Sequence, residues 1–355
     1  MQISGKREAG FDAADVVASL YRALLNREPD ATGLDGHVKA VREHGLDDVV
    51  RTFPGSVEYQ LIARPGPFWN YAATFDPVAT IRAHENRARK AVPNHRVNFF
   101  GVAVNVDRFA PQLKLENIVE PPPIPANWHA DMAEFGAALR AVERAGDTFT
   151  MAELGCGWGC WMNITAAAAR LAGKKPFVIG VEGDEGHLEF SRESLGTNGI
   201  PTAQYKLLRG VAAAKQGTAF FPKQDRAGSM WGLAPVFAAS PAQIKTLRKD
   251  KNYAELKMIS LPEVVADHPR LDLLHIDIQG GETNLIRDSI DILNRRVAYI
   301  VVGTHSRVID GEIIDILSRD GGWKLEIERP CFFTIHDGRP QTRMDGVQGW
   351  YNTRF

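Results

Sequence analysis

Residues 152–161 read AELGCGWGCW, and the turn they describe decides how the chain is built. Three glycines, Gly155, Gly157 and Gly159, alternate behind an acidic residue, Glu153. A strand-like run, TFTMAEL (148–154), leads into the turn, and a helix-like run, WMNITAAAARLAG (161–173), leads out of it. Glycine at every second position removes side chains where another group must approach the backbone closely. The same strand-then-helix signal repeats downstream. PFVIGVE (176–182) precedes the helical GHLEFSRESLGTNG (186–199), while LDLLHIDI (271–278) and AYIVVGTH (298–305) flank the helical ETNLIRDSIDILNRR (282–296). Short apolar strands alternating with helices predict a parallel, doubly wound α/β sheet buried on both faces. Ligands bind such sheets beyond the C-terminal strand ends, so the glycine turn is the expected site.

A dinucleotide fold would need the fingerprint G-x-G-x-x-G, with glycine or alanine at position 160, where this chain has Cys160. The observed E-x-G-x-G-x-G resembles instead the turn of S-adenosylmethionine-dependent methyltransferases of the Rossmann-like class I fold. That cofactor has no pyrophosphate, but its amino-acid portion and ribose must lie against backbone, which suits Gly155, Gly157 and Gly159. Glu153 is expected to serve the cationic amino group, directly or through water. At the end of the next strand Glu182 is placed to accept both ribose hydroxyls, with Asp184 as the weaker competitor. Trp158 and Trp161 fit either stacking on a ligand or plain packing.

The stretch LDLLHIDIQGGETNL (271–285) is the second constellation. Asp277 is expected at the end of a buried strand and His305, in VVGTHSR (301–307), at the tip of its neighbour. Asp272, Ile276, Asp277, Gly280 and Glu282 reproduce D-L-L-x-I-D-x-x-G-x-E, and over about residues 126–350 the chain resembles the FkbM-like methyltransferases. His275 stands where lysine is commoner in that family, and GTHS stands where an acidic residue often ends the next strand. The resemblance implies an O-methyltransferase acting on a hydroxyl of a sugar, glycan or related natural product. Methyl transfer to an alcohol requires removal of the hydroxyl proton, so a base or a metal must stand near the acceptor. The leading arrangement makes His305 the general base, oriented by Asp277. The rival is a divalent ion held by Asp277, His305 and either Glu282 or His275. The plain alternatives are that His275 packs within its strand and Glu282 caps the following helix. Upstream, NWHAD (127–131) puts Trp128 where a lid would cover the sulfonium by a cation–π contact, and Asp131 where it would cap a helix. The loop DRAGSMWGLAPVF (225–237), around Ser229 and Trp231, reads as an acceptor-side loop.

The rest of the chain sets bounds. With 355 residues, one catalytic domain plus a smaller piece is expected. We divide it into an N-terminal helical accessory module (1–62), a linker and lid region (63–125) and the methyltransferase domain (126–355). LYRALLNREPDATGL (20–34) with FPGSVEYQ (53–60) resembles a small helical module, of unassigned function, found in bacterial surface proteins and fused to enzymes of glycan assembly. Docking of a protein partner, or self-association, is expected of it. The charged stretch TIRAHENRARKAV (80–92) reads as helical. A net charge of −1 excludes a basic nucleic-acid footprint. Cys156, Cys160 and Cys331 complete no zinc pattern and are expected as reduced thiols. No apolar run is long enough to span a membrane and MQISGKREAGFD lacks the core of a signal peptide, so a cytoplasmic enzyme is expected. The non-enzymatic alternative is an adaptor that binds the cofactor without turnover and recruits partners through the N-terminal helices.

Overall fold

The structure is a computed structural model that describes residues 12–25, 27–56, 58–59, 66–109 and 117–355. It divides into two compact units, Met1–Trp69 and Asn70–Phe355. The expected boundary at 62/63 and residues 1–11 lie outside the described residues.

In the first unit, helices α1 (Ala13–Leu25), α2 (Ala31–His44) and α3 (Leu46–Gly55) enclose Val17, Tyr21, Leu25, Val49 and Phe53. Helix α2 starts at Ala31 because the Asp30 carboxylate accepts from Gly33 N (2.8 Å) and caps it, leaving Gly33 inside the helix.

The second unit is built on an eight-stranded sheet. Its strands are β1 (Ala72–Ala73), β2 (Thr148–Leu154), β3 (Lys175–Glu182), β4 (Tyr205–Arg209), β5 (Leu273–Ile276), β6 (Tyr299–Thr304), β7 (Trp323–Arg329) and β8 (Gly346–Asn352). Their order across the sheet is β1-β7-β8-β6-β5-β2-β3-β4. Strands β4, β3, β2, β5 and β6 run parallel, whereas β8 is antiparallel to both β6 and β7. The sheet is therefore the expected doubly wound one with two reversed strands, β8 and the two-residue edge strand β1, that the periodicity of the central strands does not announce.

Side chains alternate across each strand, so one strand feeds two cores. Phe149, Met151, Val178, Leu273 and Val301 face the layer of helices α5 (Met132–Arg144), α6 (Cys160–Leu171) and α7 (Glu185–Thr197). Ala152, Leu154, Ile179, Leu274, Ile276 and Val302 face α8 (Glu282–Arg296) and α9 (Arg307–Asp320). Helix α5 is apolar at Met132, Phe135, Leu139 and Val142, all buried, and Asp131 caps it by accepting from Ala133 N (2.7 Å). The buried Asp131 also pairs with Arg329 of β7 at 2.5 Å, which fixes the helix start to the sheet.

Within residues 63–125, expected as linker and lid, Phe99, Phe100, Val102, Val104 and Val106 are all buried in this core. Only the first four residues of the charged stretch, Thr80 to Ala83, are helical, as the end of helix α4 (Pro77–Ala83), since the chain turns at His84. A three-stranded sheet follows β4, formed by Val211–Ala213, Tyr253–Ser260 and Gly217–Pro222, and a hairpin of Phe332–His336 with Arg339–Met344 precedes β8. Among the described residues no helix is long and apolar enough to cross a membrane.

Candidate active site

The glycine turn joins β2 to α6 and is tied down by two carboxylates. Gly155 has φ +79°, and a Cβ there would fall inside the Asp277 carbonyl oxygen. The turn thus touches the end of β5 backbone to backbone, and no side chain fits between them. Gly157 (φ +51°) donates its N–H to Glu182 Oε2 at 2.9 Å. Gly159, in the left-handed region, starts α6.

Glu153 is buried and turns inward, its two oxygens accepting from Trp161 N (3.3 Å) and Met162 N (2.9 Å). It ties down the first turn of α6, and burial pushes its carboxyl up to about 7. Its contacts are with the helix start, where the sequence pattern suggested the cofactor's amino group. Glu182 also accepts from Asp184 N at 2.8 Å, and burial raises its carboxyl. Asp184 is occupied as the cap of α7, accepting from His187 N (2.9 Å), so Glu182 is the carboxylate facing the glycines.

At the opposite end of the turn, Asp277 donates its N–H to Leu154 O (3.0 Å) and presents a half-exposed carboxylate. His305, just past β6, sits between two acids: Nε2 is 3.2 Å from Asp277 Oδ1 and Nδ1 is 2.9 Å from Glu282 Oε1. Burial draws the His305 pKa down, but the two carboxylates overcome it and lift it to about 10. The two carboxylates thus favour the imidazolium form of His305 at neutral pH. The same pairing outweighs the desolvation of Asp277 and holds that carboxyl below the usual range.

Glu282 is the first residue of α8 but does not cap it, since its bonds are to the loop that precedes the helix. At the start of α8 its Oε1 accepts from Ile278 N (3.2 Å) and Gly280 N (3.1 Å), while the fully buried Oε2 has no hydrogen-bond partner. Asp277, Glu282 and His305 offer ligand atoms within 4.8 Å of one another, the one such group among the described residues.

His275 is not part of it. It lies one strand repeat, about 6–7 Å, below Asp277, where its Nε2 meets Glu134 Oε1 at 2.9 Å and its ring stacks on Trp161 (5.2 Å). Burial lowers its pKa, yet Glu134 reverses the sign and raises it. Trp128 donates Nε1–H to Glu120 Oε1 (2.9 Å) and stacks on Trp158 (6.2 Å, 19°); Trp158 and Trp161 are both buried as packing.

Two features had no usable signal in the sequence, and a third, Trp231, falls in the loop that the sequence reads as acceptor-side. Glu134 reaches the site from α5, about 140 residues before its partner His275. Asp345 lies close enough to His305 and Asp277 to feel both charges. Trp231 lies against Gly157, on the cofactor turn.

The order β4-β3-β2-β5-β6-β8-β7, with β8 alone reversed, is that of the class I methyltransferase sheet, and the turn at its switch point is the one an S-adenosylmethionine-dependent methyltransferase uses. Residues 141–323 match the methyltransferase FkbM domain. A relative from Jannaschia sp. (strain CCS1), provisionally named a methyltransferase, is 40% identical over 268 residues, 75% of this chain and 95% of its own. The chain belongs to the FkbM methyltransferase family. Solved structures similar to it include methyltransferase FkbM from Methylobacillus flagellatus KT (12% identity, 62% of this chain and 54% of that one, TM-score 0.38). Another is precorrin-6Y C5,15-methyltransferase from Geobacter metallireducens GS-15 (13% identity, 60% and 86%, TM-score 0.33).

Proposed function

We propose that this enzyme methylates a hydroxyl oxygen of a sugar, glycan or related natural product. The observation that carries the reading is the Asp277–His305–Glu282 cluster, whose first member shares a backbone contact with the glycine turn. The reading places the cofactor's amino-acid portion beside the turn of Gly155, Gly157 and Gly159, and gives the ribose hydroxyls to Glu182. S-adenosylmethionine, when bound, supplies a methyl group on an electrophilic sulfonium.

The cleft beside His305 is acidic, with Asp277, Asp345 and, deeper, Glu134. Carboxylates accept hydroxyl hydrogen bonds and repel phosphates, so a neutral polyol suits this cleft better than a nucleic acid. His305 already holds a proton between two carboxylates and so does not accept another. We therefore favour Asp277, Glu282 and neutral His305 as ligands of a divalent cation that takes the proton's place, with the orphaned Glu282 Oε2 as a further donor atom. Such a cation would supply Lewis acidity that lowers the pKa of the acceptor hydroxyl.

The same reading takes the protein as cytoplasmic and its N-terminal helices as a docking module for a protein partner or a second copy. It rests there on composition and on the resemblance of residues 20–34.

The test is methyl-donor consumption across a panel of hydroxylated acceptors, repeated after chelation and divalent-ion add-back. Turnover that is lost and then restored is expected. Undiminished turnover in metal-free protein would exclude the ion and leave the acceptor proton to the His305–Asp277 pair, and turnover confined to nitrogen acceptors would refute O-methylation.

A further inference from the structure

Residues 223–233 form a strap beside the glycine turn, bonded to α7 and lying against the segment that follows β5. On one side Gln224 Nε2 and Gly228 N lie 3.0 and 3.3 Å from His187 Nε2, in α7. On the other, Gly232 sits against Gln279, two residues past Asp277. Within the strap, Gln224 Oε1 accepts from Ser229 Oγ (2.9 Å) and Met230 N (3.0 Å).

These bonds hold the indole of Trp231 flat on the His187 ring (4.2 Å, 8°), with Cζ3 and Cε3 3.4 and 3.5 Å from where a Cβ of Gly157 would stand. His187 accepts at Nε2, so its proton is on Nδ1, which lies 3.9 Å from Glu182 Oε1. Burial lowers the His187 pKa, so the ring beneath the indole is neutral. Even so, Trp231 remains 41% exposed as a residue. An aromatic face braced this firmly, yet left open, has an unused surface.

The position of Gly157 says what that surface meets. Its N–H goes to Glu182, the ribose end of the turn, while its neighbour but one, Gly155, abuts Asp277, the transfer end. Between a ribose and a transferable methyl lies the sulfur.

We propose that Trp231 is the sulfonium-recognising wall of the cofactor site, its π face meeting the positive sulfur of S-adenosylmethionine. This rests on the cofactor assignment above. Transfer leaves a neutral thioether in S-adenosylhomocysteine, so a cation–π contact is lost on turnover and Trp231 favours substrate cofactor over product. A wall that only packed would serve both ligands alike.

Calorimetric titration of wild type, W231L and W231F with both ligands tests this. W231L is expected to weaken S-adenosylmethionine binding about two- to thirty-fold more than S-adenosylhomocysteine binding, and W231F, which keeps an aromatic face, to shift the same ratio less. Equal weakening for the two ligands, or no change for either, would overturn the role of Trp231 while leaving the cofactor assignment intact. A wild-type protein that binds neither ligand would refute the assignment itself, and this inference with it. Because Trp231 is partly exposed on a strap, W231L is expected to fold; should it not, the ratio in W231F decides.

Discussion

Gly155→Ala probes the contact on which the site is built. The residue has φ +79°, which costs a non-glycine residue about 1–2 kcal/mol. The new Cβ would also overlap the Asp277 carbonyl oxygen, and restoring the 3.0 Å that real Cβ atoms keep requires a displacement of about 1 Å. Neither partner yields easily, because Asp277 N is bonded to Leu154 O and Gly155 N to Val181 O. Overpacking of this kind adds about 1–3 kcal/mol. The combined loss of roughly 3 kcal/mol should lower the melting temperature by about 5 °C in a unit of this size. Where the turn yields, Asp277 shifts relative to the cofactor, and a misplacement near 1 Å costs on the order of a hundredfold in turnover. The assay pairs thermal melting with methyl-donor consumption. Gly196→Ala is the control: it lies in α7 with nothing within 4 Å of its Cβ, and should be neutral or stabilising by up to about 1 kcal/mol. A Gly155→Ala protein with wild-type melting and turnover within twofold would show that the backbone contact between β2 and β5 is not what positions the site.

Two further expectations separate the ends of the cleft. Glu182→Ala should weaken S-adenosylmethionine binding at least tenfold, about the worth of one charged hydrogen bond, whereas Asp277→Asn should leave that affinity within about threefold and abolish transfer; equal loss of cofactor affinity in both would contradict the assignment. For metal-stripped protein, stability should depend on pH through His305. Its folded pKa, about 10, lies above the unfolded 6.5, so its contribution is complete below pH 6.5 and is lost as pH rises toward 10. Urea titrations across that window should show the decline in wild type and a flatter profile in His305→Gln; identical slopes would mean the imidazolium is not held by Asp277 and Glu282.

Much of this site is legible in the sequence because it depends on local backbone geometry. A turn that must meet the neighbouring strand admits only glycine at 155, and strands buried on both faces must be apolar throughout, so the E-x-G-x-G-x-G pattern and its flanking runs identify the turn, the parallel strands and Glu182 together. Asp277, Glu282 and His305 were legible as residues for the same reason, each falling at a strand end or helix start. Their protonation was not, since it depends on how closely β5, α8 and β6 bring two carboxylates to one imidazole. The inward turn of Glu153 and the diversion of His275 to Glu134 are likewise outcomes of packing, as is the absorption of residues 70–109 and 117–125 into the core. Trp231 is the plainest case. In the chain it stands 74 residues from Gly157 within an irregular loop, and only the strap's bonds to His187 and its contact with Gln279 lay its ring on the glycine turn. Periodicity and turn chemistry report the forces a residue feels from its near neighbours along the chain, whereas charge state and ligand contact are set by groups that only folding brings within a few ångströms.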